Sequence, residues 1–393
     1  SGGITWKPIF EKELTASIGA VAIQQSNPSV IWVGTGEGNP RNSLNGGYGI
    51  YKSLDAGNNW IAMGLEKTRN IHRVIIDPTN PDVVYVAAIG SPWGEHPERG
   101  VYKTVDGGKT WKQTLFVNDM SGIIDLQHSP ENFDIMFASS WTKDRKAWNF
   151  DGSGNNSAIY KSTDAGETWT KISTKESGFP TGQGVGRIGF AVYNDTIIYA
   201  IHDSQFRRPL EDKKDKKSVL TKDDFQSMSV EAFLKLNDKK LDTFLKTNGF
   251  QEKYRAQNIK QMVRSGNVKP IDIAKYLEDA NSLLFDTPVI GAEVYKSIDG
   301  GKTWNKTHDD FLDGLYYSYG YYFGEIRVDT QNKNNIYILG VPLLKSKNGG
   351  KSFKSISREN VHADHQALWI NPNNSNHLIN GNDGGVNITY DNG

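Results

Sequence analysis

The chain has 393 residues, with 45 basic and 45 acidic residues and hence no net charge, and it contains no cysteine. Zero net charge argues against nucleic acid or an anionic membrane surface as the main partner, because both attract a basic excess. The lack of cysteine excludes disulfides, thiolate metal sites and a cysteine nucleophile. No apolar run approaches the roughly 18 residues of a membrane-spanning helix, so no membrane insertion is predicted.

A ten-residue segment with the pattern Ser/Thr-x-Asp-x-Gly-x-x-Trp recurs along the chain. Copies occupy residues 51–60, 102–111, 160–169 and 295–304, and a degenerate copy occupies 344–353. Its hydroxyl and carboxylate can bond to the turn backbone, its glycine tolerates a left-handed conformation, and its tryptophan begins a return strand. The pattern therefore predicts a hairpin turn. The chain begins on the tail of one copy and ends on the head of another, so we expect a fragment of a longer protein.

A second signature precedes each copy: two strands joined by a polar turn, clearest in residues 77–87 (DPTNPDVVYVA). Each unit then has four predicted strands, which for one unit are His72–Asp77, Val83–Ala88, Gly100–Thr104 and Thr110–Phe116. From Trp6 to Phe353 the aromatic residues of successive copies are 54, 51, 58, 135 and 49 residues apart. A period near 50 with four short strands predicts an all-β fold, a β-propeller with four-stranded blades. Six units are visible, and we expect seven or more blades in the parent ring.

The long interval of 135 residues contains an insertion. Its hydrophobic spacing changes to a helical period, with Ser229 as an N-cap, Gly249 and Gly266 as stops and Pro270 as a start, which predicts four short amphipathic helices. The expected organisation is propeller over residues 1–204, a helical insertion in blade four over 205–288, and propeller again over 289–393.

Propeller connectivity sorts the loops between two faces. The repeated turns share one face, whereas the loops after each second strand and the connections between blades share the other. The loops of this second face are long and chemically varied, which is where binding is expected. Its exposed aromatic and polar residues suggest a sugar-binding cleft. The predicted ligand-binding residues are Trp93, Trp141, Trp148, Arg187, Tyr319, Tyr322, His362 and His365.

Glycoside hydrolysis requires two carboxylates that flank the scissile bond, about 5–10 Å apart. On the same face we nominate Glu37, Asp364 and Asp383 as catalytic candidates, together with Asp119. If blades one and six are ring neighbours, Glu37 comes close to Asp364 and Asp383. Asp383 also fits a simple turn cap.

The segment His362-Ala363-Asp364-His365 is the densest polar cluster. On an extended backbone His362 and Asp364 point to one side and His365 to the other. Three interpretations stay open: a metal site completed from elsewhere, a His–Asp pair that orients a general acid or base, and hydrogen bonds that hold a blade connection. We predict no metal and no cofactor.

The repeated turn resembles the Asp-box (BNR) repeat, and its strand pairs resemble the propellers of sortilin and of xyloglucanase-type glycoside hydrolases. The stretches GTGEGNP (34–40), GRIGFAV (186–192), HADHQALWINP (362–372) and GNDGG (381–385) resemble large secreted bacterial proteins described as sortilin-like or glycosyl hydrolase BNR-repeat proteins. This resemblance implies a propeller outside the cell, on the cell surface or in the periplasm. Sialidases of this repeat class use an arginine triad, a Phe/Tyr-Arg-Ile-Pro motif and a Tyr-Glu nucleophile pair. The sequence has no such tetrapeptide, so sialidase activity is not expected. The place of the xyloglucanase aspartate reads Gly34-Thr35-Gly36-Glu37-Gly38, which puts its role in doubt.

Two functions follow from the sequence. The first is a secreted or cell-surface bacterial propeller that binds a glycan on the long-loop face and hydrolyses it if the carboxylates are suitably placed. The alternative is a non-enzymatic, sortilin-like propeller that binds a protein or peptide. Nucleic acid is not an expected partner in either case.

Overall fold

The computed structural model describes residues 5–39, 44–146, 149–208, 220–251, 253–277, 289–316 and 319–393. They form two compact units, one of residues 1–207 with 289–393 and one of residues 208–288. Among the described residues, no helix is long and apolar enough to cross a bilayer.

The first unit is a β-propeller of six antiparallel blades, as the repeat predicts. Blades 1 and 2 contain strands β1–β4 and β5–β8: Ile18–Ile23, Ile31–Thr35, Ile50–Ser53, Ile61–Ala62, Ile71–Ile76, Val84–Ala88, Gly100–Thr104 and Lys112–Leu115. Blade 3 contains β9, β10, β13 and β14, with the small hairpin β11–β12 between its second and third strands: Ser121–His128, Met136–Thr142, Asp144–Arg145, Phe150–Asp151, Ala158–Ser162 and Thr170–Lys171.

Blades 4 and 5 contain β15–β18 and β19–β22: Val185–Val192, Ile198–Arg207, Val289–Ser297, Asn305–Lys306, Glu325–Asp329, Asn332–Leu339, Leu343–Ser346 and Lys354–Ser355. Blade 6 has three described strands, β23–β25: His365–Ile370, Leu378–Asn382 and Gly385–Thr389. The first strand of each blade contacts the first strand of the next blade along the chain. The core lies between blades, where alternate residues of each strand face the preceding and the following blade.

The repeated turns use the contacts that their sequence predicts. In the copy of blade 3, Gly166 N donates to Ser162 Oγ at 2.8 Å, and Thr168 N donates to Asp164 Oδ1 at 2.9 Å. Ser162 Oγ also donates to Asp164 Oδ1 at 2.7 Å. Gly166 has a φ of 71°, a left-handed conformation that glycine adopts at little energetic cost. These bonds satisfy the turn backbone and fix the third strand against the fourth.

The tryptophan of each turn also packs against the preceding blade. Trp111 of blade 2 lies against Trp32 of blade 1, with ring centroids 6.3 Å apart. Trp304 of blade 4 packs into the core that contains Phe137, Phe190 and Ile172, between blades 3 and 4. The repeat therefore connects neighbouring blades as well as neighbouring strands.

The second unit interrupts blade 4 between β16 and β17. It has five described helices, α1–α5, where the sequence predicts four: Lys222–Gln226, Val230–Leu234, Asp238–Thr247, Ala256–Arg264 and Pro270–Leu277. Ser229 caps α2 by accepting from Ala232 N, and Thr221 caps α1 with Asp224 in a capping box. Their apolar faces bury a separate core around Phe225, Phe233 and Leu241. The strand β16 continues through Arg207, and the second unit begins at residue 208.

Candidate functional site

The long loops that follow the second strands are residues 36–49 in blade 1, 89–99 in blade 2 and 143–157 in blade 3, and in blade 4 the second unit takes this place. In blades 5 and 6 the corresponding connections are short. Asn382 pairs with Gly385 across a two-residue turn, so Asp383 sits at the exposed tip of a tight hairpin. The long loops after the second strands therefore come mainly from blades 1 to 3.

Five charged or polar side chains from four blades meet where the first strands converge. We call them the axial cluster: His72, Arg73, Asp125, Arg187 and Glu325. Arg73 Nε donates to Asp125 Oδ1 at 2.7 Å, and Arg73 Nη2 donates to Glu325 Oε1 at 2.5 Å. Arg187 Nη2 lies 3.2 Å from Glu325 Oε1 and 3.2 Å from His72 Nε2. One carboxylate thus holds two arginines from different blades.

Burial and charge set the protonation of the axial cluster. Burial lowers the pKa of His72 to about 3, and the neighbouring Arg73 and Arg187 add to the effect, so the imidazole is neutral. Burial alone would raise the pKa of Glu325, but Arg73, Arg327 and Arg187 lower it well below its usual range. Because four of these side chains are buried, Arg73 is half-buried and their charges pair with one another, the cluster ties four blades together and leaves neither of its carboxylates free for catalysis.

Asn39 connects the axial cluster to blade 6. Its Oδ1 accepts from Arg187 Nη1 at 2.5 Å, and its Nδ2 donates to Gln366 Oε1 at 2.9 Å. Glu37 lies two residues before Asn39, and Asp364 lies two residues before Gln366; both are half-buried. The loop of blade 1 and the start of β23 are therefore hydrogen-bonded neighbours, the arrangement that would bring Glu37 towards Asp364.

The polar segment of residues 362–365 differs from its expected extended form. Asp364 has a φ of 63°, and β23 begins only at His365, so the predicted alternation of side chains does not apply. His365 is buried, with Nδ1 2.8 Å from Asn380 Nδ2 and Nε2 3.3 Å from Ser357 Oγ, whereas His362 is exposed. His365 holds the blade connection in place, and its role in ligand binding stays a prediction.

Two other predicted ligand-binding residues are also buried. Trp141 is 0% exposed; its Nε1 donates to Gly152 O at 2.8 Å, and its ring packs with Ile89 and Ile124. Arg187 is enclosed within the axial cluster. Both are core residues. In a single sheet, alternate side chains of a strand can point to solvent, whereas in a propeller they point towards the next blade.

The remaining aromatic residues differ in accessibility. Trp93 is 47% exposed in the loop of blade 2. Tyr319 and Tyr322 are half-buried in the connection before blade 5, where Tyr322 packs against Phe323 with ring centroids 5.1 Å apart. Trp148 lies outside the described residues. Trp93 is therefore the predicted aromatic that is best placed to stack on a ligand.

Sequence reasoning missed several buried charged groups. Asp203, at 2% exposed, accepts from Gln205 Nε2 at 2.8 Å through Oδ1, and its Oδ2 has no hydrogen-bond partner among the residues that the structure describes. Burial raises the pKa of Asp203 to about 7, against the opposing effects of Gln205 and Arg187. The sequence contains a signal for such groups, namely a charged residue within an otherwise apolar first or second strand of a blade. Examples are Arg73 in IHRVII and Asp125 in SGIIDLQH.

A cavity of about 220 Å³ lies between blades 5 and 6, and His365, the residue after the candidate Asp364, is among its lining residues. Its apolar lining includes Leu343, Ile356, Leu368 and Leu378. Ile356 lies three residues after Phe353, just as Met63 lies three residues after Trp60. The carbonyl oxygen of Met63 accepts a hydrogen bond from Trp111 of the next blade. The cavity thus lies at the position that corresponds, in blade 1, to the hydrogen-bond acceptor of a turn tryptophan.

Comparisons with known proteins fit this architecture. A model of the Sortilin-Vps10 family, described as sortilin, neurotensin receptor 3, matches residues 48–255, more than half of the chain. No curated protein sequence matches the chain significantly.

Among solved structures, a GH74 xyloglucanase from Xanthomonas campestris aligns with a TM-score of 0.53 at 13% identity, over 96% of this chain and 45% of that one. A GH74 enzyme from Niastella koreensis aligns with a TM-score of 0.46 at 15% identity, over 95% of this chain and 49% of its own. The chain thus spans less than half the length of these structures. The first likeness supports the propeller fold alone.

Proposed function

Because the chain belongs to the Sortilin-Vps10 family of β-propellers, we propose that it is a binding propeller whose long-loop face holds a glycan, with Glu37 and Asp364 as the carboxylates that would hydrolyse it. The observation that carries this proposal is the hydrogen bond from Asn39 Nδ2 to Gln366 Oε1 at 2.9 Å. It joins the loop of Glu37 to the strand that follows Asp364. Two half-buried carboxylates from neighbouring loops are the minimum that glycoside hydrolysis requires.

The other features of this face support binding. Trp93 offers an exposed indole in a loop that Arg99 holds through three backbone carbonyls. A fixed aromatic side chain loses little conformational entropy when it stacks on a ligand. The buried axial cluster fills the centre of the first strands, so the ligand would lie across the loops rather than along the axis.

A glycan array followed by product analysis tests the proposal. Any glycan that is retained is incubated with the wild-type chain and with Glu37→Gln, Asp364→Asn and Asp383→Asn. We expect the first two variants to lose hydrolysis while they still bind the glycan, and Asp383→Asn to retain activity because it caps an exposed turn. Glu131→Gln, an exposed residue in a turn between first and second strands, is the matched control. Failure of every glycan to bind would refute the proposal.

A protein or peptide ligand is the second candidate, and one observation favours it. The family model that matches residues 48–255 is described as sortilin, neurotensin receptor 3, so a receptor that binds a protein or peptide fits the same propeller. Retention of peptides but not glycans on arrays would support this function, and Trp93→Ala would then weaken binding.

We also propose that the protein acts outside the cell or at its surface, on the basis of its resemblance to secreted bacterial propellers. Fractionation of the native organism with an antibody to the helical unit tests this. Recovery of the protein in the cytoplasmic fraction alone would contradict it.

A further inference from the structure

The helical unit contains an apolar groove that takes no part in the proposed function. Residues of α4, of α5 and of the connections on either side of α4 line it, and its volume is about 170 Å³. The lining residues are Phe250, Tyr254, Ile259, Met262, Val268, Asp272, Ile273 and Tyr276. Pockets for small molecules usually measure about 300–1,000 Å³, so this groove is too small for most of them. Its size and lining suit one large apolar side chain of another polypeptide.

The groove reaches from the surface of the unit to its core. Of the lining residues, Ile259 and Ile273 belong to the core and are 4% and 2% exposed, whereas Tyr276 is 57% exposed. The ring of Tyr276 lies against that of Phe250, with ring centroids 4.6 Å apart. An incoming side chain would thus contact buried aliphatic residues and an aromatic wall that the described chain leaves accessible to solvent.

Two cations border the groove through contacts with its lining residues. Lys253 Nζ lies 5.0 Å from the ring centroid of Tyr254. Arg255 Nη1 donates to the carbonyl oxygens of Phe250 and Tyr254 at 3.3 and 3.2 Å. Both acceptors are uncharged, so the guanidinium keeps its positive charge beside the groove.

The acidic residues of this part of the chain do not offset that charge. Residues 250–277 supply every lining residue and contain six basic residues but two acidic ones. Of the basic residues, Lys260 is paired with Asp238 at 2.6 Å. The lining carboxylate of Asp272 accepts from Lys269 N at 2.8 Å through Oδ2, which caps the start of α5. The border of the groove is therefore mainly basic and complements an acidic partner.

We propose that this groove docks an acidic peptide segment of a partner protein. One large apolar side chain of the segment fills the space between α4 and α5, and carboxylates beside it approach Lys253 and Arg255. Apolar anchors that enter a groove between helices supply affinity, and complementary charges supply specificity. The inference goes beyond the proposed function, because the groove belongs to the helical unit and shares no residue with the long-loop face.

Methyl NMR of the whole chain tests whether the groove is the docking place. The chain has five methionines, of which Met262 alone lines the groove, so ¹³C-methyl labelling gives few resonances and Met262→Leu assigns the relevant one. The probes are short synthetic peptides with one central Phe, Trp or Leu between Glu residues. Matched peptides carry Ser at the centre, or Lys in place of Glu.

We expect the acidic peptides with an apolar centre to shift the Met262 resonance and to leave that of Met136, which is buried in the propeller, unchanged. The Ser and Lys peptides should have little effect on either resonance. If no acidic peptide shifts Met262, or if the Lys peptides shift it equally, the proposal is wrong.

Substitutions test the two parts of the contact by fluorescence anisotropy of the labelled peptide. Lys253→Glu reverses a charge at the border and should weaken binding about tenfold. Lys239→Glu makes the same change on the exposed side of α3, outside the groove, and should weaken it less than about twofold. Tyr276→Ala removes the aromatic wall and should also weaken binding about tenfold. Because Lys253 is exposed, its variant tests the contact even if Tyr276→Ala disturbs the packing of α5.

Equal weakening by Lys253→Glu and Lys239→Glu would reduce the interaction to attraction by net charge and refute the groove. A second copy of the chain is the competing occupant. A Met262 resonance that shifts with protein concentration in the absence of peptide, together with a dimer in analytical ultracentrifugation, would assign the groove to self-association and refute the acidic partner. The glycan array tests other residues, so either proposal can fail while the other stands.

Discussion

Trp111 Nε1 donates a hydrogen bond to the carbonyl oxygen of Met63 at 2.7 Å, which joins the turn of blade 2 to the outer edge of blade 1. Trp60 makes the same bond to Ile9 O at 2.6 Å. Each acceptor lies three residues after the preceding tryptophan of the repeat. At these two junctions the repeat and the three residues that follow it thus supply both the ring that packs and the carbonyl that receives the next ring. Trp169 and Trp304 instead donate to the glycine carbonyls of their own turns, Gly166 O and Gly301 O.

We expect Trp111→Ala to lower the free energy of unfolding by about 3 kcal/mol, since it removes a half-buried ring that packs against Trp32. Trp111→Phe keeps most of the packing and loses the bond to Met63, so its cost should be about 1 kcal/mol. Urea unfolding monitored by circular dichroism measures both. The exposed Trp93→Ala serves as control and should fall within about 0.5 kcal/mol of wild type. Equal losses for Ala and Phe would show that the hydrogen bond, not the ring, carries the effect.

The axial cluster predicts a larger loss. Glu325→Gln leaves the buried Arg187 and the half-buried Arg73 and Arg327 around a neutral amide and should cost about 3–5 kcal/mol. Glu167→Gln is the comparison, because Glu167 is exposed where it pairs with the buried Lys103 at 2.6 Å and with the exposed Lys112 at 2.8 Å. An ion pair made by an exposed carboxylate contributes about 1 kcal/mol or less. Similar urea midpoints for the two variants would contradict a stabilising role for the axial cluster.

The fold could be predicted from the sequence because each repeat is locally complete. The strands expected at 83–88 and 100–104 appear as Val84–Ala88 and Gly100–Thr104, since alternation and turn chemistry act over a few residues. Trp141 and His365 show where this reasoning ends. Their sequence neighbours place them on the loop face, but contacts with another blade or connection bury them, and such contacts have no local signal. Glu325 was missed for the same reason, as its partners lie up to 252 residues away.

Asp203 predicts a specific pH dependence. Burial raises its pKa from 3.8 to about 7 in the folded chain, against about 3.9 in the unfolded chain. Between these values the folded state holds a proton that the unfolded state has lost. The contribution of Asp203 to the free energy of unfolding is therefore fully present below about pH 4, decreases as the pH rises, and is lost above about pH 7.

Because Asp203→Asn cannot ionise, it should remove the part of the pH dependence of the free energy of unfolding that comes from Asp203. This part is at most about 1.4 kcal/mol per pH unit. The measurement is the free energy of unfolding at pH 5 and pH 8 for wild type, Asp203→Asn and the exposed control Asp134→Asn. We expect wild type and Asp134→Asn to lose stability between these pH values and Asp203→Asn to lose less. Parallel losses in all three chains would show that Asp203 keeps an ordinary pKa.

The contact between Asn39 and Gln366 predicts an energetic coupling between the first and the sixth blade. A double-mutant cycle with Asn39→Ala, Gln366→Ala and the double variant should give a coupling of about 1 kcal/mol. Asn39 paired with Gln113→Ala is the control, because Gln113 bonds to Arg99 O on the outer side of blade 2 and should be additive with Asn39. If Glu37 and Asp364 act on a common substrate, Asn39→Ala and Gln366→Ala should each also slow hydrolysis. Either change removes the hydrogen bond that holds the two loops in position relative to each other. Coupling without an effect on hydrolysis would assign the bond to stability alone, whereas additivity in the cycle would remove the observation on which the carboxylate pair rests.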